Sequence, residues 1–325
     1  MKRFILIASA SLIILTALAG CALAGDRLSI IATIFAPYDF ARVIAGDRAD
    51  VAMLISPGSE SHSFEPAPQD IITIMNSDVF IYVGGDSDSW IDRLLGSMNT
   101  GQMKIASLME CVDLVEEKIV EGMDDDHDDD DHHSHDHDND DDHDHDHASA
   151  AYDEHVWTSP ENAKLIVRKI ADVLCEADEK NADFYRQNAA AYIEKLEELD
   201  AAFQAVMDGA ARNTIVFGDR FPFRYFADAY GLEYFAAFPG CSTETEPSAR
   251  TVAFLIDKVK AEKIPVIFHI ELSNERMADT ISEETGAKKR LLHSCHNITR
   301  DDFQKGLGYL DLMTRNIEAL REALH

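Results

Sequence analysis

Short apolar runs separated by amphipathic stretches occupy both halves of the chain. In the first half these are residues 28–34, 51–55 and 78–83, with a fourth at 103–108. In the second half they are residues 214–217, 233–238, 265–270 and 290–292. Runs this short and this apolar suit strands buried on both faces of a parallel sheet, with helices on each face. The repetition predicts an α/β protein of two lobes, each a four-stranded parallel sheet flanked by helices.

Between the two sets, Tyr185, Ala189, Tyr192, Leu196, Leu199, Phe203 and Val206 recur at alternating steps of four and three. That spacing is one stripe of an α-helix. It predicts a single long, rigid helix over residues 178–209, joining an N-terminal lobe at 26–177 to a C-terminal lobe at 210–325. At 1.5 Å per residue a helix of about 30 residues is about 45 Å long, enough to run along both lobes. Parallel α/β sheets bind ligands at the carboxyl ends of their strands, so two such edges facing each other define a cleft.

The N-terminal lobe is interrupted by an insertion over residues 123–149 that has no such pattern. Residues 124–147 comprise fourteen Asp, the eight imidazoles of His127, His132, His133, His135, His137, His143, His145 and His147, one Ser and one Asn. A stretch without apolar side chains cannot bury enough area to fold. Imidazole is a good ligand for zinc, copper or nickel and carboxylate adds oxygen donors, so the tract predicts an auxiliary, low-affinity collector of divalent cations. The formal charge of the chain is −31, of which the tract supplies fourteen negatives. The rest is still acidic, which argues against nucleic acid, whose phosphates need a basic footprint. Cations are the expected ligands.

Lys2 and Arg3, the apolar stretch from residue 4 to 18 and the small residues Ala19 and Gly20 read as an export signal over residues 1–20. Leu18-Ala19-Gly20-Cys21 resembles the lipobox of bacterial lipoproteins, which implies that Cys21 is acylated and becomes the N-terminus. Cleavage after Ala22-Leu23-Ala24 would instead leave a periplasmic protein. Either route takes the chain out of the cytoplasm, where thiols tend to be oxidised. Cys111, Cys175, Cys241 and Cys295 then allow three pairings. Cys241 and Cys295, both in polar loops late in the chain, are the first choice for a disulfide, with a cysteine-containing metal site as the alternative.

Six His lie outside the tract. His62 sits in a polar loop just after the run ending at residue 55, at the carboxyl end of a strand. His155 follows the insertion, next to Trp157, whose apolar indole would anchor the segment, and just before Ser159-Pro160, which read as a helix N-cap and first helical position.

Four stretches around these residues form a recognisable series. They are Thr33-Ile34-Phe35-Ala36-Pro37-Tyr38; Pro57-Gly58 with His62, Phe64, Glu65 and Pro66; Glu154-His155-Val156-Trp157 with Pro160 and Asn162; and Tyr225-Phe226 with Tyr230-Gly231-Leu232 and Glu246-Pro247-Ser248. The series resembles the zinc and manganese receptors of bacterial ABC transporters over most of the mature chain. The resemblance implies a metal held between two four-stranded lobes, with His62 and His155 as the ligands of the first. It also departs from the family at one point: the place of the third ligand is taken by Arg220, whose guanidinium stays protonated and has no lone pair to give. Where the family's last ligand is expected, the sequence reads Leu292-His293-Ser294-Cys295-His296. His293 or His296 is the candidate to complete the site, then Asp219, then Glu271, while His269 reads as a packed strand residue.

Extra imidazole in place of carboxylate favours zinc over manganese, which prefers oxygen donors. The expected function is therefore an extracytoplasmic receptor that captures Zn(II) as transported ligand and delivers it to an ABC-type permease. It would work as a monomer, lipid-anchored to the outer face of the cytoplasmic membrane. A manganese or nickel receptor of the same type, or a metal-buffering or adhesin lipoprotein, is the alternative. No His-Glu-x-x-His helix or nucleophile elbow is present, so an enzyme is not expected.

Overall fold

The computed structural model describes residues 27–60, 64–123, 151–242 and 247–325. The expectations placed on the export signal, Cys21, His62 and the His/Asp tract fall outside these residues. All eight expected strands form. β1 (Leu28–Ala32), β2 (Ala49–Met53), β3 (Val79–Tyr82) and β4 (Lys104–Ser107) make one sheet in the order β2-β1-β3-β4. β5 (Thr214–Phe221), β6 (Glu233–Pro239), β7 (Val266–His269) and β8 (Lys288–Leu291) make the other in the order β6-β5-β7-β8. Every pairing is parallel and the two sheets share one topology. In each, the strand order reverses beside the first strand of the lobe, between β1 and β3 and between β5 and β7, which is where open α/β sheets leave a crevice for ligands.

The helix that joins the lobes runs from Ala182 to Asp208, 27 residues, after one 3-10 turn at Glu179–Asn181. All seven residues of its apolar stripe are buried. At one end its Asn188 amide donates to the Ile44 carbonyl of the first lobe at 2.9 Å, and at the other Asp200 accepts from the Tyr230 hydroxyl of the second at 2.6 Å. Phe203 meets Phe226 edge-to-face at 4.9 Å between ring centroids. Pairs of this geometry contribute about 0.5–1.5 kcal/mol beyond the area they bury. One continuous apolar cluster thus runs from β1 and β3 through the joining helix to β5 and β7.

The second lobe also grips the first through the segment after β8. The His296 carbonyl accepts from Phe35 N at 3.1 Å and the Ile298 carbonyl from Gly58 N at 2.8 Å. The Asn297 amide donates to the carbonyls of Ser56 at 3.1 Å and Ser59 at 2.7 Å. Among the described residues, no helix is long and apolar enough to cross a membrane.

Candidate metal centre

The His155 segment is built to hold one imidazole still. His155 has no exposed surface and sits at the start of a 3-10 turn, Val156–Thr158, just before the Pro160–Ala177 helix. The buried Asp153 carboxylate accepts from the His155 main-chain N–H at 2.8 Å, and the same oxygen lies 3.1 Å from Nδ1 of the ring. This pairing fixes the ring's orientation, as an outer carboxylate does for a ligating His. Asp153 is in turn held by its carbonyl, which accepts from the Tyr225 hydroxyl of the second lobe at 2.9 Å. The neighbouring indole, Trp157, donates from Nε1 to the Ser294 carbonyl at 2.8 Å, joining the two lobes beside the ring.

The opposing surface is the turn after β8. The buried Glu271 carboxylate organises it, accepting from Ser294 N at 2.8 Å, Ser294 Oγ at 2.6 Å and His296 N at 3.0 Å. Cys295, in the middle, adopts the left-handed conformation with φ 59°. The outcome is that the His296 ring stands edge-on to His155 with centroids 5.4 Å apart and edge-on to Trp157 at 5.2 Å. A cavity of about 20 Å³ adjoins His296 and Trp157, lined also by Thr33, Ile34, Val83 and Glu154 among others. That is room for one small ion or one water, and it lies at the carboxyl ends of β1 and β3.

Two glycines permit this packing. A Cβ on Gly85, whose φ is +84°, would lie 2.5 Å from Oε1 of Glu154, the oxygen that accepts from Ser87 N. A Cβ on Gly240 would lie 2.9 Å from the Phe221 carbonyl oxygen and 3.2 Å from the His155 ring, so the turn after β6 rests directly on the imidazole.

The electrostatics follow from burial and partners. Burial opposes charge on His155, but Asp153, by its charge and its hydrogen bond, and then Cys241 outweigh it and hold the pKa well above the ordinary imidazole value. Burial dominates at His293, with Glu271 only partly opposing it, and the pKa is lowered. At the cavity wall, burial pushes Asp88 up to about 6 although its carboxylate accepts from Val83 N and Gly84 N.

Of the residues singled out in the sequence, the fold brings His155 and His296 together from opposite lobes. His293 is turned into the second lobe. Its Nδ1 accepts from Cys295 N at 3.0 Å, and its main chain is clasped by the Asn316 amide. Asp219 uses one oxygen to accept from Ile270 N and the other from Arg220 N. It lines a separate cavity with Glu60 and Arg220, whose side chains pair at 3.3 Å. His269, at the end of β7, lies against the Ile270 carbonyl. Among the described residues, no three His, Cys, Asp or Glu side chains converge closely enough to hold a metal ion.

The expected Cys241–Cys295 disulfide is not formed: Cys111, Cys175, Cys241 and Cys295 are all free thiols. Cys295 is fully buried in the core beneath the His293–His296 turn, whereas Cys241 follows Gly240, the residue that packs on the His155 ring. The sequence reading missed Asp153 and gave Glu271 too small a part. Asp153 stands two residues before His155, a spacing that suits an outer carboxylate, but it is hard to tell apart after so many Asp. Glu271 gives no local signal, since the turn it organises lies more than twenty residues away.

Comparison with known proteins bears on this geometry. The family described as zinc-uptake complex component A, periplasmic (ZnuA), matches residues 30–323. The high-affinity zinc uptake system protein ZnuA of Bacillus subtilis is 33% identical over 300 residues, covering 92% of this chain and 88% of that protein. The zinc-binding lipoprotein AdcA of Streptococcus pneumoniae strain R6 is 31% identical over 321 residues, or 99% of this chain, but the match spans only 60% of AdcA. The solved Zn(II)-bound ZnuA-like domain of S. pneumoniae AdcA superposes with a TM-score of 0.72 at 30% identity, covering 92% of this chain and 99% of that domain.

Proposed function

Since the chain belongs to the zinc-uptake component A family, we infer that it is an extracytoplasmic receptor, not an enzyme, that captures Zn(II) and hands it to an ABC-type permease. One observation supports this most: two imidazoles, His155 from the first lobe and His296 from the second, stand edge-on at 5.4 Å, and His296 lines a cavity sized for an ion. Zinc takes four N, O or S donors in a closed tetrahedral site when its role is not catalytic. We assign His62 and His155 as the ligands of the first lobe and His296 as that of the second, with His293 and Glu271 shaping the turn that presents it. Asp153 orients His155. Imidazole donors favour zinc over manganese.

In this reading the ion meets the first-lobe ligands, and the turn after β8 closes on it. The tract at 124–147 gathers cations nearby without being part of the tight site, and acylated Cys21 holds the monomer to the outer face of the membrane, within reach of the permease.

Zinc titration against a competing chelator tests the assignment. His62→Ala, His155→Ala and His296→Ala should each lose tight binding, and unchanged affinity in the first two would remove the proposed site. Deleting residues 124–147 should preserve tight binding and slow uptake only when zinc is scarce. If that deletion abolished tight binding, the tract would be the working part and the chain a metal-buffering lipoprotein.

A further inference from the structure

We propose that Arg220 is a positioning residue that latches the two lobes together: its guanidinium grips Glu60 across the cleft and slows release of the ion, while giving the metal no donor of its own. This rests on the receptor reading and adds to it a group that sets how long the ion stays. Arg220 belongs to the second lobe, near the carboxyl end of β5, and Glu60 to the first, in the loop after β2. Nη1 of the one and Oε1 of the other are 3.3 Å apart. In the sequence Glu60 stands two residues before His62, the proposed ligand of the first lobe.

The backbone is built to present this side chain. From Phe217 to Arg220 β5 advances three residues while its partner β6 advances two, from Ala236 to Phe238. The extra residue is a bulge, a device that re-aims a side chain near the end of a strand. Up to Gly218 the strand is buried, whereas Asp219 and Arg220 are half-buried. Asp219 locks the bulge, accepting from Arg220 N at 2.8 Å through Oδ1 and from Ile270 N, just past β7, at 3.1 Å through Oδ2. The Arg220 side chain that leaves this fixed point is 14% exposed, against 45% for Glu60. A cavity of about 190 Å³ lined by both, and by Ser273 and Asn274, gives the guanidinium space to swing aside when the lobes part.

The loop is thus held at two points of different chemistry. At its start the segment after β8 holds main-chain groups: Gly58 N donates to the Ile298 carbonyl, and the Asn297 amide to the carbonyls of Ser56 and Ser59. At its end Glu60 is held by opposite charge. Of residues 56–60 only Glu60 is charged. Salt therefore weakens the second hold and largely spares the first.

The test loads the full chain with one equivalent of Zn(II) and follows the slowest phase of its release into excess chelator by stopped flow. Salt is set at about 0.01 M and about 1 M, where charges act over roughly 30 Å and 3 Å. Arg220→Gln and Glu60→Gln should each speed release roughly two- to fivefold at the lower salt, the range of a part-exposed ion pair, with association little changed. The double variant should be no faster than either single one, and Arg220→Lys should restore part of the hold. The parent's release should also quicken with salt more steeply than that of either glutamine variant. A merely structural loss would leave the salt dependence of the parent in place and would not be repaired by lysine. Additive effects in the double variant, or parental release rates in both single variants, would overturn the latch and leave the imidazole site standing. Release unaffected by His155→Ala would instead overturn the receptor reading, and the latch with it.

Discussion

His155 and His293 depart from ordinary imidazole behaviour in opposite directions, and each leaves its mark on a different side of about pH 6.5. The raised pKa of His155 means that its protonated form, paired with Asp153, stabilises the metal-free protein fully below that value. The contribution is lost as pH rises through the folded pKa. His293, held neutral by burial, resists the proton that the unfolded chain accepts, so stability is lost as pH falls below about 6.5. In urea denaturation of the metal-free protein, His293→Asn should lose less stability than the parent between about pH 7.5 and about pH 5.5. An equal loss in both would show that His293 is not the group responsible. Zinc must also displace the proton on His155, so apparent affinity should keep rising above the ordinary imidazole range, measured by chelator competition at several pH values. Asp153→Asn keeps the shape but weakens the acceptor, and should cost roughly 10- to 100-fold in zinc affinity. At this scale the sequence was only partly readable. His155 and His296 stand out as residues, but nothing local says that they meet; the family resemblance supplied that. The free state of Cys241 and Cys295 follows from where the core and the cleft put them, which cysteine spacing does not encode.

The elements were legible to the extent that burial determines them. β1 and β3 are central strands covered on both faces, and their sequences are apolar apart from Ser29. β2 and β8 are edges: β2 alternates in exposure and β8 reads Lys-Lys-Arg-Leu, so only its last residues fell within the expected run. The joining helix was the clearest reading, because an apolar stripe at steps of four and three matches the α-helical period and cannot lie along one face of a strand. It begins at Ala182 and not at the expected residue 178. There Asp178 ends the preceding helix, and its carboxylate accepts from Asn181 Nδ2 and the Tyr185 hydroxyl. Leu196 is wholly buried near the middle of the joining helix. Leu196→Ala should cost about 2–5 kcal/mol of unfolding free energy in urea denaturation. Should the loss stay below about 1 kcal/mol, the helix would be a spacer and not part of the shared core. Ser248 caps the Ala249–Glu262 helix by accepting from Thr251 N at 3.1 Å, and Ser248→Ala should cost about 0.5–2 kcal/mol.

For the molecule as a whole, the joining helix fixes how far the lobes can part while the segment after β8 decides how tightly they meet. Hydrogen bonds from Phe35, Gly58 and Asn297 to or from that segment, with Trp157 Nε1 on Ser294, form a clasp on either side of His296. In the proposed receptor these bonds would have to open for the ion to leave. Asn297→Ala, which loses two of them without touching a proposed ligand, should speed zinc dissociation in a stopped-flow chelator chase while changing association little. Equal dissociation rates would mean that the clasp does not gate the ion.

The neck of the insertion offers a practical opening. Glu116 and Tyr152 form an antiparallel bridge, with Glu117 N donating to Ala151 O at 2.9 Å and Asp153 N to Val115 O at 3.0 Å. Whatever hangs beyond that collar is joined to the body by two strands already stapled side by side, one of which ends in the carboxylate that steers His155. A fluorescent reporter spliced in place of the tract would thus end eight residues before His155, the proposed ligand, and the receptor would become its own zinc gauge.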